Sequence, residues 1–406
     1  MPDRVCTRYR DDDGLDVGCH LITKEYMLEN YPSLIDAAKA PGLWTWGRGS
    51  YGQLGDNTDQ INATSPVQTI SGGTNWKTVS AGGYHTAAIK TDGTMWSWGS
   101  GTRGELGNNS TTSRSSPVQT ISGGTTWRSV SASGHNAGDS LSHTAATKTD
   151  GTLWTWGSAA SGRLGNNSLD NRSSPVQTIA GGNNWQSVSA GASHTAATKT
   201  DGTLWTWGSG ASGRLGHNST NNRSSPVQTI SGGTNWRTVS AGLGHTSSTK
   251  TDGTLWSWGL GTSGQLGNNT VTNTSSPVQT ISGGNTWRSV SASRYHTAAT
   301  KTDGTLWTWG GGGSGQLGNN AVASTSSPVQ TISGGTNWRL ASAGRFHTAA
   351  TKTDGTLWLW GDAGPLGDDT ATNRSSPVQT ISGGTNWRLA SAGDFHAAAI
   401  KDLGDF

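Results

Sequence analysis

Short alternating runs recur along this chain at a fixed interval, and in each run two tryptophans flank one residue, as in Leu255-Trp-Ser-Trp258. Alternation with a period of two puts both indoles on one face of a strand. A third tryptophan follows about thirty residues later and opens a second run, Trp287-Arg-Ser-Val-Ser-Ala292. All 21 tryptophans fall into seven such triplets. The first of each triplet stands at 44, 96, 154, 205, 256, 307 and 358, a period of 51 with small exceptions. Self-similarity at such a period marks a solenoid, a propeller or an array.

Residues 252–302 show one unit. Asp252-Gly253 signals a tight turn, with one residue needing positive φ. The Trp-X-Trp strand comes next, then a glycine-punctuated loop containing Gly264-Gln-Leu-Gly267. Pro277-Val-Gln-Thr-Ile281 reads as a short strand with proline at its tolerated first position. After Ser282-Gly-Gly-Asn285 come two more strands, Trp287–Ala292 and His296–Lys301, and the next Asp303-Gly304. Four strands per unit, seven times over, predict an all-β, seven-bladed propeller of four-stranded antiparallel blades. A ring leaves no open edge between units. The array starts at Leu43-Trp-Thr-Trp46, the strand after the hairpin, and ends at His396–Lys401, the strand before it. Residues 43–46 are therefore expected to complete the last blade and close the ring.

Two domains follow: an N-terminal extension over 1–41 and the propeller over 42–406. Residues 23–30 and 33–39 are expected as short helices, with Ser33 able to cap the second. Asp11-Asp12-Asp13 and the stretch before it read as an exposed arm. The extension reads either as a loosely packed leader or as an attachment segment docking the propeller to other structural proteins. Cys6 and Cys19 are the only cysteines, too few for a disulfide framework. The start Met1-Pro-Asp-Arg reads without the apolar stretch of a secretory signal, so none is expected, and no run of about 18 apolar residues suggests a membrane span. Residues 1–40 carry five basic and eight acidic residues, which leaves the repeats a net +6. That charge is too dilute for a nucleic-acid footprint, and no nucleic-acid partner is expected.

Each unit has a histidine at a strand head: His85, His143, His194, His245, His296, His347 and His396. Catalysis needs one asymmetric constellation with distinct roles. Sevenfold recurrence in one context points instead to a structural part, a ring holding its own turn. The recurrent strand lysines, such as Lys301 and Lys352, read as a solvated face. The Trp pairs read as blade-to-blade packing. The Gly-X-Leu-Gly loops lack the strand–loop–helix setting of a phosphate cradle. Neither enzyme signature nor metal or cofactor motif emerges.

The scaffold leaves free the two positions before each histidine. There Tyr84, Tyr295, Phe346 and Phe395 fall on blades that become neighbours on closure, flanked by Arg294 and Arg345. Aromatic and arginine residues are what binding hot spots use. These six are the candidate binding residues.

Val79-Ser-Ala-Gly-Gly-Tyr-His85-Thr-Ala-Ala, Lys90-Thr-Asp-Gly-Thr-Met-Trp-Ser-Trp-Gly99 and Gly104-Glu-Leu-Gly107 together resemble the regulator-of-chromosome-condensation repeat, most of all its short bacterial and viral form. The resemblance covers residues 42–401 and implies a seven-bladed propeller closed by its termini. The family's best-known activity is nucleotide exchange on a small nuclear GTPase, with chromatin binding. That activity relies on a wedge-like insertion and exposed acidic residues for which no match is found. The only real insertion lies within Ser133–Ser142 and is not apolar. The expectation is a non-enzymatic structural or binding module, most similar to a virion protein of a tailed phage, assembled in the host cytoplasm and contacting a host-surface protein or glycan. The alternative is a cytoplasmic interaction adaptor or exchange factor.

Overall fold

The computed structural model describes residues 5–10, 16–22 and 42–402, apart from 59–60, 71–72, 122–123, 135–140, 180–181, 231–232, 282–283, 333–334 and 382–383. Seven four-stranded antiparallel sheets make up the repeats. The first complete blade runs Trp76–Ala81, His85–Lys90, Met95–Gly99 and Arg114–Gln119, in spatial order. Blades two to seven begin at Trp127, Trp185, Trp236, Trp287, Trp338 and Trp387. The seventh draws its last two strands, Gly42–Gly47 and Ala63–Gln68, from the start of the array. Leu43 pairs with Ile400, Trp44 with Ala399 and Trp46 with Ala397, so ordinary strand pairing closes the ring.

The strand opened by the third tryptophan lines the central channel, as the ring of Ser80, Ala81 and their six repeats around one cavity shows. The outer strand begins earlier than the sequence suggests, at Thr274, and ends at Gln279. Pro277 is its fourth residue. The fold accepts it there because this strand pairs on one side only, so the absent N–H breaks no ladder.

The indoles fill the spaces between blades. Trp185 and Trp207 of blade three are buried with Leu153 of blade two. At the closing junction Leu43, Ala398 and Ile400 of blade seven meet Trp76, Val79 and Trp98 of blade one. Within each blade the inner-strand and Trp-X-Trp indoles meet edge to face, as with Trp287 and Trp309 at 5.8 Å. The strand lysine is not simply solvated. Lys301 Nζ lies 4.8 Å from the Trp287 ring and 4.5 Å from Trp307, between two indole faces. The arrangement recurs through Lys90, Lys148, Lys199, Lys250 and Lys352. The quadrupole of each ring attracts the ammonium, which explains its recurrence.

Residues Val5–Arg10 and Asp16–Ile22 pair as antiparallel strands, where an arm was expected up to Asp13. Two runs rich in β-formers joined by a polar stretch favour a hairpin, and its register sets Val5 opposite Ile22 and Tyr9 opposite Val17. The helices expected over 23–30 and 33–39 lie outside the described residues.

Candidate functional site

Antiparallel order gives the ring two faces. One carries the loops before each histidine and the Gly-X-Leu-Gly loops; the other carries the Asp-Gly hairpins and the links between blades. Two belts of hydrogen bonds tie the blades together. In the channel belt each serine hydroxyl accepts the alanine N–H of the following blade. Ser80 accepts from Ala132 at 2.9 Å, and the belt closes where Ser391 accepts from Ala81 at 2.9 Å.

The second belt contains the histidines. All seven are fully buried. Six of the rings reach the next blade through Nε2: His85 meets Thr144 Oγ1 at 2.9 Å and His396 meets Thr86 Oγ1 at 2.7 Å, while His296 also holds its own turn through Nδ1 and Ser293 Oγ at 2.9 Å. His143, His194, His245 and His296 repeat the contact. Blade seven has Ala397 at the threonine position, so that one junction is made without a hydroxyl. Thr86 Oγ1 also donates to the Gln53 carbonyl, and Thr144 Oγ1 to that of Glu105. The network therefore assigns the ring proton to Nε2. Burial disfavours the charged ring, lowering His85 to about 4 and His396 to about 3 and placing His143 and His194 well below their usual value. Rings so placed are neutral fasteners.

The Gly-X-Leu-Gly loops are also fasteners. Gly55, at φ +71°, lies against the Trp98 indole of the next blade, and the Gln53 carbonyl accepts Trp98 Nε1–H at 2.9 Å. A side chain at Gly55 would meet Trp98 Nε1 at 2.6 Å, so glycine is required for the close approach. The loop carbonyls are thus committed to holding the neighbouring blade.

The free positions beside the histidines behave differently. Tyr295 and Phe346 stack at 5.2 Å with planes 24° apart, and Tyr84 meets Phe395 at 5.3 Å. Arg345 bridges the two pairs, its guanidinium 4.8 Å from Phe346 and 4.9 Å from Phe395. Arg294 lies 5.1 Å from Tyr295. All six candidates form one continuous arc over blades five, six, seven and one. Tyr84 is the buried end at 6% exposure, and the other five are partly open. Burial raises the Tyr84 hydroxyl above its usual value, with Arg48 pulling the other way.

Two members of the arc were not singled out from sequence. Tyr51 packs on Tyr84 at 4.9 Å and Arg48 lies 5.3 Å from Phe395. Both sit in the loop of the closing blade, where other repeats have smaller residues such as Ser100 and Ser263. Comparison of loop positions between repeats would have found them. Among the described residues no group of His, Cys, Asp and Glu is arranged to hold a metal, and no helix is long and apolar enough to cross a membrane. The insertion after Gly134 falls largely outside the described residues.

Comparison with known proteins agrees with this architecture. The family described as RCC1-like domain matches residues 137–406, and the regulator of chromosome condensation (RCC1) repeat matches 42–89 and 92–137. The chain is 33% identical to the ultraviolet-B receptor UVR8 of Arabidopsis thaliana over 302 residues, 70% of this chain and 64% of that protein. It is 29% identical to the human E3 ubiquitin-protein ligase HERC2 over 340 residues, which is 80% of this chain but 7% of that protein. The chain thus spans less than two thirds of these curated relatives. Prp20p of Saccharomyces cerevisiae, from a structure concerned with its binding to Gsp1p and histones, superimposes with a TM-score of 0.78 at 18% identity, over 90% of this chain and 92% of that one. Human WBSCR16 gives the same TM-score and identity, over 90% of this chain and all of the other. These relatives are eukaryotic, and the short bacterial and viral form finds no support among them. A sevenfold repeat, a ring closed by its own ends and matches spanning the repeats place this chain in the RCC1-like domain family.

Proposed function

We propose that this chain is a protein-binding propeller, an intracellular adaptor whose partner docks on the arc of Arg294, Tyr295, Arg345, Phe346, Phe395 and Tyr84. The observation that carries this reading is that the arc breaks the sevenfold pattern. Elsewhere on that face the same two positions hold residues such as Ala192-Ser193 and Leu243-Gly244. Stacked rings crossed by guanidiniums offer rigid apolar area with donors at its margin, the composition of a hot spot. The relatives support a binding role: Prp20p's structure is described by what it binds, and UVR8 is a receptor. They lend no support to a virion part, a phage-tail location or host-surface contact. The exchange-factor form of the reading has the same relatives behind it, but the loops over blades two to four offer no described apolar wedge.

The experiment compares the intact protein with Tyr295→Ala/Phe346→Ala. Binding to immobilised Gsp1p and to histones is measured, together with release of labelled nucleotide from a small GTPase. The adaptor reading expects partner binding that the folded double variant loses, without accelerated nucleotide release. Binding equal in both proteins rejects the arc, and accelerated release by the intact protein favours the exchange factor.

A further inference from the structure

The opposite face, where the hairpins lie, has an unassigned feature at its centre. Each inner strand has a bulge at its second residue. Trp287 pairs with Lys301 and Ser289 with Thr300, which leaves Arg288 unpaired in the ladder. The same shift occurs in all seven blades. A bulge re-aims the side chain it carries. The seven bulge residues are Lys77, Arg128, Gln186, Arg237, Arg288, Arg339 and Arg388, six basic and one neutral, and none is buried. They stand on the channel-lining strands next to the hairpins, as the bond from Thr91 N–H to the Asn75 carbonyl shows. They therefore ring the mouth of the channel.

Some of these side chains trace the ring itself. Arg388 donates to the Trp76 and Lys77 carbonyls of the next blade at 2.8 and 3.0 Å, and Arg237 donates to that of Arg288 at 3.0 Å. Arg128 reaches Trp185 and Gln186 in the same way. Arg388 pairs with Asp402. Among the described residues the other five basic side chains have no carboxylate, and those of Arg288 and Arg339 make no hydrogen bond.

Further out on this face the charges cancel. The seven strand lysines, Lys90 to Lys401, are matched by the hairpin aspartates 92, 150, 201, 252, 303 and 354 together with Asp402. Hydrogen bonds from the Thr94 N–H and hydroxyl hold Asp92 ionised, and the other five hairpin aspartates are held likewise by the threonine two residues on. The positive surplus of the face thus sits on the inner ring, inside a circle of exposed carboxylates.

We infer that this mouth is a receptor for a compact polyphosphate anion lying on the channel axis. Five of the six cations are arginine, whose planar fork matches phosphate oxygens. The closed ring suits a ligand with phosphates on several sides. The surrounding aspartates repel a long polyanion that overruns the ring, which disfavours a nucleic-acid duplex. The site is on the opposite face from the proposed partner arc and is independent of it.

The test uses the full chain and inositol hexakisphosphate as probe, by titration calorimetry at low salt. The expected result is one equivalent bound. Arg288→Gln/Arg339→Gln, which copies the glutamine blade three already has, should weaken it by about tenfold or more, since charged hydrogen bonds are lost. Gln186→Arg should tighten it by completing the ring. Melting temperatures without ligand check that the variants fold. Absence of binding overturns the proposal, as does affinity unchanged in both the double variant and Gln186→Arg. If the double variant melts early, Gln186→Arg alone decides. A short DNA duplex that binds more tightly than the probe and is lost in the same double variant would assign the ring to a nucleic-acid backbone instead.

Discussion

Acid should dismantle this ring through its histidines. His85 titrates near 4 and His396 near 3 in the fold, against 6.5 for an exposed imidazole. Their folded-state values are depressed, so the unfolded chain binds the extra protons. The stabilisation is complete above pH 6.5 and is lost as the pH falls from there toward 4. Each pH unit within that window costs about 1.4 kcal/mol per ring. From pH 7 to pH 5 each of these two rings forfeits about 2 kcal/mol, allowing for partial protonation near 6.5. The pair alone removes about 4 kcal/mol from a total that for a native domain is roughly 5–15 kcal/mol. His143 and His194, shifted the same way, deepen the loss. Urea unfolding followed by tryptophan fluorescence at pH 7, 6 and 5 measures it. Proton uptake on unfolding should be largest near pH 5, and His85→Gln should reduce it by about one proton. An unfolding free energy level between pH 7 and pH 5 would refute the claim that these rings are held neutral between blades.

Two further outcomes follow from the packing. Trp46→Ala removes a fully buried indole at the closing blade and should cost about 3–5 kcal/mol, read as a lower urea midpoint. Lys301→Met keeps the aliphatic stem between Trp287 and Trp307 but removes the cation, and should cost about 1 kcal/mol while Lys301→Arg is nearly neutral; equal stability of all three proteins would return this lysine to the solvated face.

Much of the scaffold was legible because its information is local and repeated. Asp303-Gly304 fixes a hairpin by backbone sterics, and Leu306-Trp-Thr-Trp309 fixes a strand face by its period of two. Both act within a few residues, so they survive in a linear reading. The closure of 43–46 onto 396–400 was also legible, since the missing half of the last unit stands at the other end. Pro277 was misplaced within its strand because an edge position is a property of the sheet, not of the dipeptide. The candidate arc was legible as a departure from the repeat, but its continuity was not. Arg345 joins two aromatic pairs from separate blades only once those blades stand side by side.

The sequence by itself determined the repeat, the strand alternation and the ends that must meet, since these rest on covalent geometry and near-neighbour sterics. The tertiary structure alone decided which strand faces the channel, that histidines fasten to the next blade, that the lysines lie between indoles of their own blade, and that six cations encircle one mouth. Those outcomes depend on groups from different strands meeting in space, the histidine and threonine of each fastener from different blades and each lysine with indoles from the two strands beside it. Distance along the chain carries no record of that separation in space.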